Sequence, residues 1–353
     1  MISMKRFTLK VSSDLHQQIK NLGKQQEVLD EALSKFMDKS LVIDSKNFEV
    51  QETMTKQVSF ELSEEQQEWL KSESEKPDSR FMLKLIRKIL HKHVFGEKRF
   101  KLFFSGFDSD LSNILKGRFR DLWTHESTAL EGNTLSLGET SFILKEGLTI
   151  SGKTLREHDE VTGHAKAIEC LYKLLEKSKL EESDLFNLHH SILINPAFDV
   201  EKPVGAWKRI DNGAYWSDQY IMYPPPSSME KLMGLWLEMY NSLEVPDGHI
   251  SAIKVYSLIH NTFVAIHPFF DGNGRMARLI ANLPVIKGGF PPIIISNSVR
   301  YEYLNLLKGN KLRDLDGIEL DAPMKQFEDL LYIQWKTSLD IVEEIKEIQR
   351  QRS

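Results

Sequence analysis

The residues at positions 267–278 have the types and spacing that a site for phosphate transfer requires. Gly272 and Gly274 lack a Cβ atom, so the backbone there can approach a ligand closely. A helical pattern follows, and backbone N–H groups at the start of a helix favour an anion. Arg275 and Arg278 are three residues apart on one side of that helix, where two guanidinium groups can bind separate phosphates. The run therefore indicates a site for a ligand with several phosphates.

Two other residues of the run could do chemistry on such a ligand. The carboxylate of Asp271 could hold Mg²⁺ between phosphate groups. An imidazole ordinarily titrates near neutral pH, so His267 could accept the proton of an attacking hydroxyl. Taken singly, each fragment is more typical of a tight turn or of a structural histidine. Their occurrence together and in order predicts a transferase that acts on phosphate-bearing nucleotides.

The elements that would position this run are helices. Apolar residues recur at helical spacing over 249–266 and again after Arg278, so the run forms the loop of a helix–loop–helix. Turn residues over 205–226 predict a hairpin or an extended loop. From residue 107 onwards the chain is predicted to be mainly α-helical. The other amphipathic stretches span 111–124, 154–176, 183–193, 227–243 and 324–348.

Residues 267–275 read His-Pro-Phe-Phe-Asp-Gly-Asn-Gly-Arg, and this string matches the signature of Fic-domain proteins at every fixed position. The resemblance covers about residues 107–350, and Arg278 continues it. It implies a mainly α Fic helical fold with a small β-hairpin flap. It also implies a protein adenylyltransferase, an enzyme that moves AMP from its substrate ATP to a Ser, Thr or Tyr hydroxyl of a protein, with Mg²⁺ as its metal.

The resemblance also implies a role for the polar residues of the loop. His267 would be the general base, Asp271 would hold Mg²⁺, and Arg278 would bind the γ-phosphate. The glycines and the asparagine between them would form an anion hole. The residues expected to contact the phosphates are Asp271, Gly272, Asn273, Gly274, Arg275 and Arg278.

Further nucleotide contacts are implied by position in the family. Residues 217–223 resemble the Fic flap, which covers the nucleotide and pairs with the target chain as an added strand. Two positions downstream of the loop fall where family members contact the nucleotide, although an ordinary place on a helix surface is the alternative for both. The second of them maps to Asn310 or Lys311, and the chemistry of the side chain favours Asn310. The residues expected from these two regions are Gln219, Tyr220, Ile221, Tyr303 and Asn310.

A second signature lies upstream, at residues 127–133. It resembles the inhibitory motif of the Fic proteins in which an N-terminal helix precedes the catalytic loop. Ser127, Glu131 and Gly132 occupy its fixed positions. The resemblance implies that Glu131 pairs with Arg278 and so keeps the γ-phosphate from its productive position. Taken alone, Glu131 would be read as a solvated helical carboxylate.

Residues 1–100 are expected to form a separate appendage before the Fic domain at 107–350. Apolar residues alternate at 7–11 and again at 58–62, and two helical patterns follow each stretch. Strand–helix–helix, repeated once, resembles the ribbon-helix-helix DNA-binding proteins, with both halves in one chain. DNA binding is therefore one alternative, which Glu61 on the second strand disfavours. An α/β appendage that contacts a partner protein is the other.

The composition excludes several classes of protein. The 353 residues carry a net charge of −5, which argues against a general nucleic-acid coat. Residues 1–100 contain 18 Lys and Arg against 16 Asp and Glu, so the acidic excess lies in the remainder. The single cysteine, Cys170, rules out an intrachain disulfide and fits a reducing compartment. No apolar stretch approaches the ~18 residues that cross a membrane, and we expect a cytoplasmic protein.

The direction of the reaction and the partners stay open at this level. Some relatives with the inhibitory glutamate also remove AMP, and a de-AMPylating hydrolase would use the same residues. The implied partners are a target protein of unknown identity, the chain itself through auto-AMPylation, and a second copy in a homodimer.

Overall fold

The computed structural model describes residues 4–11, 16, 19–20, 22–37, 56–74, 79–95, 102–194, 199–216, 219–308 and 310–352. The chain divides into two compact units, residues 1–100 and residues 101–353. Helices dominate both units, so the prediction of a mainly helical protein is confirmed. Within the described residues, no helix is long and apolar enough to span a membrane.

The first unit contains a two-stranded antiparallel ribbon and three fully described helices. Residues 16, 19, 20 and 22 are also helical, between the first strand and the first of these helices. In the ribbon, Met4 lies opposite Ser63 and Val11 opposite Lys56. In chain order the elements are β1 (Met4–Val11), α1 (Gln25–Met37), β2 (Lys56–Ser63), α2 (Glu64–Glu73) and α3 (Ser79–Phe95).

The alternation of apolar and polar residues gives the β1–β2 ribbon two different faces. One face belongs to the core of the unit and buries Leu9, Val11, Val58, Phe60 and Leu62. The other face is exposed and presents Arg6, Thr8, Lys10, Gln57 and Glu61. The outer edge of β2 is partly covered by α1, because the side-chain carbonyls of Gln25 and Gln26 accept hydrogen bonds from the backbone of Ser59 and Glu61.

The second unit is a helical bundle in which the described residues also form two short two-stranded sheets. Single 3₁₀ turns at Pro226–Ser228 and Asn297–Val299 precede two of its helices. In chain order the elements are α4 (Ser109–Leu130), α5 (Leu137–Glu146), α6 (Leu155–Leu174), α7 (Glu182–Ile192), β3 (Gly213–Trp216), β4 (Gln219–Met222), α8 (Met229–Ser242), α9 (His249–Ile266), α10 (Asn273–Lys287), α11 (Arg300–Leu307), β5 (Lys311–Leu312), β6 (Leu320–Asp321) and α12 (Met324–Arg352).

The central pair of the bundle is α9 and α10, the two helices that flank the predicted phosphate loop. Every residue of α10 from Asn273 to Ile286 is buried except Gly274, which is partly buried. A helix that is buried on all sides normally carries no charge unless the charge has a partner. Arg275 and Arg278 on α10 therefore require an explanation beyond packing.

The helix α4 is longer than its apolar pattern predicts. The sequence suggests a helix over 111–124, whereas the helix runs on to Leu130 and buries Ser127 and Thr128 in its last turns. Thr128 interrupts the apolar pattern, but its Oγ1 donates to the carbonyl of Thr124, so the buried hydroxyl has a hydrogen-bond partner within the helix. The signature at 127–133 thus lies on the last turn of a helix and the turn that follows it.

Candidate active site

The loop between α9 and α10 begins and ends on residues with a left-handed backbone. α9 ends at Ile266, and His267 has φ 53° and ψ 59°. Pro268 follows, and it disfavours a helical conformation for the residue before it. Gly272, with φ 79°, caps the start of α10. For His267 this conformation costs about 1–2 kcal/mol, so its surroundings must hold it.

The loop is held from inside by Phe269 and Asn273. Phe269 is fully buried. Asn273 Oδ1 accepts from the backbone N–H of Phe269 at 2.9 Å, and Asn273 Nδ2 donates to its carbonyl at 2.7 Å. The Asn273 side chain is therefore committed to the loop, and only its backbone N–H can serve the anion hole that the sequence predicts.

His189, at the end of α7, supports the loop from below and was not predicted. The backbone N–H of Gly205 donates to His189 Nδ1 at 2.9 Å, so Nε2 carries the proton and donates to the carbonyl of Asp271 at 3.0 Å. The ring also stacks on Phe269, with centroids 3.8 Å apart. Burial lowers the pKa of His189 to about 4, which keeps this tautomer neutral. No motif surrounds His189 in the sequence that could have revealed this role.

The chain before the β3–β4 hairpin holds the loop from the other side. The backbone N–H of Lys208 donates to the carbonyl of Pro268 at 3.0 Å, and Asn212 Nδ2 donates to the carbonyl of Phe269 at 2.9 Å. Just after the hairpin, the ring of Tyr223 stacks on His267 at 3.7 Å between centroids. These contacts fix both the backbone and the ring of His267.

The protonation state of His267 suits a general base. Burial of the imidazole, and next the ammonium of Lys208, lower the pKa of His267 to about 3. Lys208 is itself 2% exposed and donates from Nζ to Asn212 Oδ1 at 2.7 Å. Burial lowers the pKa of Lys208 to about 8. His267 is therefore neutral at physiological pH and able to accept a proton.

Arg275 is a buried cation with unused hydrogen-bond donors. It is 3% exposed, and its Nη2 lies 3.5 Å from Asp271 Oδ1. Its Nε and Nη1 atoms are buried and have no hydrogen-bond partner among the described residues. Buried polar groups without partners are costly, and an anion would complete them. Together with the backbone N–H groups at the start of α10, these donors mark an anion site.

Arg278, one turn further along α10, has a hydrogen-bond partner at each of its three guanidinium nitrogens. Its Nε donates to Ser127 Oγ at 3.0 Å, and its Nη1 donates to Tyr303 Oη at 3.1 Å. Its Nη2 donates to the carbonyl of Ser127 at 2.8 Å and to Glu131 Oε1 at 2.7 Å. The ion pair with Glu131 that the sequence suggested is thus present.

The carboxylate of Glu131 lies directly over the start of α10. A Cβ at Gly274 would meet Glu131 Oε1 and come within 3.1 Å of Arg278 Nη1, so the absence of a side chain leaves room for this ion pair. Gly132 follows with φ 103°, so the chain can turn away immediately after the carboxylate. Glu131 therefore occupies space beside Arg278 that an anionic ligand on that arginine would need.

Two predicted nucleotide contacts lie in the core instead. Tyr303 is 1% exposed, with its hydroxyl beneath Arg278. Asn310 is 8% exposed and donates from Nδ2 to Asn261 on α9. The hydroxyl of Tyr303 accepts from Arg278, and contact of Tyr303 and Asn310 with the nucleotide stays a prediction.

The predicted flap is an antiparallel hairpin of β3 and β4, in which Ala214 lies opposite Ile221 and Tyr215 opposite Tyr220. Tyr220 is half exposed, and Ile221 is partly buried. Gln219 is described by its backbone as the first residue of β4. Residues 217–218, which follow β3 and precede β4 in the sequence, lie outside the described residues.

The site as a whole is a helix–loop–helix that brings together a neutral His267, the buried unpartnered donors of Arg275, and Arg278 paired with the Glu131 carboxylate. Residues 179–285 match the Fic/DOC family model. This stretch, which includes the loop and the start of α10, is therefore similar to a Fic domain.

Known proteins of similar sequence carry a consistent name. The chain is 36% identical over 199 residues to protein adenylyltransferase fic-1 of Caenorhabditis elegans, a match that covers 55% of this chain and 37% of that protein. It is 34% identical over 197 residues to protein adenylyltransferase Fic of Nematostella vectensis, which covers 54% and 43% of the two chains. The chain thus spans less than half the length of these relatives.

Solved structures share the helical fold. A Fic-domain-containing signalling protein from Bacteroides thetaiotaomicron is 26% identical with a TM-score of 0.58, over 69% of this chain and 90% of that one. A fragment of fic-1 from C. elegans is 29% identical with a TM-score of 0.53, over 67% and 66% of the two chains. The predicted Fic helical fold is confirmed.

Proposed function

We propose that the chain is a protein adenylyltransferase that moves AMP from ATP to a Ser, Thr or Tyr hydroxyl of a target protein. The observation that carries the proposal is the presence, on one loop and the helix it opens, of a neutral His267 and of buried, unpartnered donors on Arg275. A base and a cationic phosphate site are the two parts that this transfer needs. The names of the relatives support the same activity.

In the proposed reaction, the hydroxyl oxygen of the target forms a bond to the α-phosphorus of ATP. The bond between that phosphorus and the bridging oxygen breaks, and pyrophosphate leaves with the electron pair. His267 accepts the hydroxyl proton. Arg275 and the backbone N–H groups of residues 272–274 stabilise the negative charge on the phosphates, and Arg278 holds the γ-phosphate.

Asp271 fits the proposed role in holding Mg²⁺. Its side chain is 56% exposed, and its Oδ1 accepts from the backbone N–H of Gly272 at 2.6 Å. Mg²⁺ is commonly bound by one or two carboxylates together with the phosphates of the substrate. Among the described residues there is no cluster of three or more metal-ligating side chains, so the phosphates would have to supply further ligands. When bound, the ion would neutralise part of the triphosphate charge.

We also propose that Glu131 inhibits the transfer. While its carboxylate is bound to Arg278 Nη2, the γ-phosphate cannot use that guanidinium. ATP would then bind in a bent pose, in which the bond to the leaving pyrophosphate does not align with the incoming hydroxyl. Residues 127–132 are in this sense an inhibitory segment.

The activity is tested with ATP labelled at the α-phosphate, incubated with the protein and a lysate of its own cells. We expect Glu131→Gly to label itself and at least one other protein, which mass spectrometry then identifies. The double variant Glu131→Gly/His267→Ala should label neither while still binding ATP. Equal labelling by the double variant would contradict the role of His267, and no labelling by either would contradict the transfer.

The same assay separates transfer from removal of AMP. A protein labelled by Glu131→Gly is purified and then incubated with wild-type protein. Release of AMP that requires Glu131 would show a de-AMPylating hydrolase, in which this carboxylate orients a water. Stable label would leave transfer as the activity.

The β1–β2 ribbon supports DNA as a second candidate partner. The major groove of B-DNA admits a two-stranded ribbon, and the exposed face carries Arg6, Thr8 and Lys10. We expect any binding by the full chain to weaken steeply with salt and to be lost in Arg6→Ala/Lys10→Ala. Lys20→Ala/Lys24→Ala removes two exposed charges elsewhere on this unit and is the matched control. Equal binding by both variants would exclude the ribbon.

The remaining expectations concern the surroundings of the enzyme. We propose that it acts in the cytoplasm on a protein substrate, modifies itself when Glu131 is removed, and forms a homodimer. Light scattering on the purified chain measures the last of these directly.

A further inference from the structure

The partners of Arg278 come from two different elements. The last turns of α4 supply Ser127, through both its hydroxyl and its carbonyl, and Glu131 follows directly. The helix α11 supplies the hydroxyl of Tyr303. If the inhibitory segment moves aside, three of the four hydrogen bonds to Arg278 are lost together. Tyr303 then remains as the one described side chain that still holds the guanidinium.

The Tyr303 hydroxyl is itself held from behind. It lies 2.9 Å from His260 Nε2 on α9, and both side chains are buried. Burial, and next Arg278, lower the pKa of His260 well below its usual value, so its imidazole is neutral. Burial raises the pKa of Tyr303, so its hydroxyl keeps its proton. A hydroxyl that accepts from a cation is polarised to donate, and His260 Nε2 is the acceptor beside it.

We propose that Tyr303, backed by His260, is a positioning residue that holds Arg278 in place for the γ-phosphate once Glu131 has left. It thereby sets the preference of the site for a nucleoside triphosphate over a diphosphate. This inference rests on the proposed function, because it takes Arg278 to be the γ-phosphate contact. While Ser127 stays in place it holds Nε and Nη2 of Arg278, and Tyr303 is the one described partner of Nη1. Once the whole inhibitory segment has moved aside, a guanidinium without Tyr303 would have no described side chain to keep it oriented.

The chain provides a closely matched control for this idea. Tyr256 also lies on α9, one turn before His260, and its ring stacks on the His260 ring with centroids 5.8 Å apart. It is as buried as Tyr303. Its hydroxyl, however, has no hydrogen-bond partner among the described residues. Tyr256→Phe and Tyr303→Phe therefore remove the same atom from neighbouring buried rings, and only the second removes a contact to Arg278.

The test measures the dissociation constants of Mg-ATP and Mg-ADP by calorimetry, which does not depend on AMP transfer. The parent is Glu131→Gly, so that Arg278 is available to the ligand. We expect the parent to bind ATP more tightly than ADP. Tyr303→Phe should weaken ATP binding about tenfold, which corresponds to ~1.4 kcal/mol, and should change ADP binding less than twofold. Tyr256→Phe should leave both constants within twofold of the parent.

The possible outcomes separate this inference from the proposed function. If Tyr303→Phe weakens ATP and ADP equally, or if Tyr256→Phe has the same effect, the positioning role is wrong although the parent still binds nucleotide. If the parent binds neither nucleotide, the proposed function fails and the inference fails with it. Should Tyr303→Phe not fold, His260→Phe removes the acceptor behind the hydroxyl and must reduce the ATP preference in the same direction. A preference that His260→Phe leaves intact would then overturn the proposal.

Discussion

Arg275 and Arg278 are one turn apart on the same buried helix, yet their surroundings are opposite. Arg275 has two buried nitrogen atoms without a hydrogen-bond partner among the described residues, and its nearest carboxylate oxygen is 3.5 Å away. Arg278 has a partner for every nitrogen. One arginine is left open, and the other is filled by the protein itself.

Under the proposed function, one helix holds both the substrate site and its control. The unpartnered donors of Arg275 lower the stability of the protein without a ligand, and an anion that binds them would recover that free energy. The hydrogen bonds of Arg278 stabilise the protein instead. A ligand can bond to its Nη2 on the Glu131 side only by displacing that carboxylate. In the proposed inhibited state, Glu131 blocks the phosphate position at Arg278, while the loop with His267 and Arg275 stays formed.

The largest expected effect on AMP transfer is that of replacing Arg275. Arg275→Met keeps the length of the side chain and removes its charge and donors. We expect the rate of AMP transfer, measured in the Glu131→Gly background, to fall at least ~100-fold, as is typical when a charge-stabilising donor is removed. Affinities for ATP and ADP should fall together, because Arg275 serves phosphates that both share. A variant that loses only ATP binding would show that the two arginines have exchanged roles.

Stability should change in the opposite sense at the two positions. Arg278→Met leaves the Ser127 carbonyl and the Tyr303 hydroxyl without their donor, and we expect the free energy of unfolding to fall by about 2 kcal/mol. Arg275→Met breaks no hydrogen bond to the described residues and removes a buried charge, so stability should be unchanged or higher. Chemical denaturation of the two variants without nucleotide measures the difference. Equal losses would mean that Arg275 is paired in solution.

Glu131→Gly removes the one carboxylate partner that Arg278 has among the described residues and leaves its hydrogen bonds to Ser127 and Tyr303 in place. Glu131→Gly should raise auto-AMPylation by at least ~10-fold, if the released pair is worth ~1.4 kcal/mol in the transition state. Glu131→Gln keeps the size of the side chain and a carbonyl that Arg278 can bond, so its gain should be smaller. Adding Arg278→Ala should abolish the gain, because the released guanidinium is what the first change exploits. Equal rates for wild type and Glu131→Gly would remove the inhibitory role.

Much of this site could be predicted because its chemistry lies in short runs of sequence. His267, Asp271, Gly272 and Arg275 fall within nine residues, and the helices on either side follow from apolar spacing. The pair of Glu131 with Arg278 joins residues far apart in the chain, and only a family resemblance linked them.

The contacts that hold the loop were not predictable in the same way. His189, Lys208, Asn212 and Tyr223 come from α7 and from the chain around the hairpin, and each acts through a backbone carbonyl or a ring face. Every residue has a backbone carbonyl, and a ring can stack on any ring that the fold brings near, so no spacing in the sequence reveals these contacts. The contact between Tyr303 and Arg278 was equally hidden, because the two residues are 25 positions apart and no motif links them.

Protonation of His267 would be a second control on the site, beside the pair of Glu131 with Arg278. A general base works only when it is neutral, so activity is lost as pH falls through its pKa. With an ordinary pKa near 6.5, about a tenth of His267 would be neutral at pH 5.5. Burial and the ammonium of Lys208 lower the pKa of His267 to about 3, while a Val264 backbone contact and Asp271 act in the opposite direction.

We therefore expect the maximal rate of Glu131→Gly, at saturating Mg-ATP, to fall less than twofold between pH 7.0 and 5.5. The background removes the Glu131 carboxylate from the profile, and saturation removes effects of pH on nucleotide affinity. Lys208→Met in the same background should raise the pKa of His267 and so move the acid limb of the profile to higher pH. A tenfold fall with a midpoint near pH 6.5 in the parent would show that water reaches the ring during turnover. The site would then be gated by protons at His267 as well as by the carboxylate at Arg278.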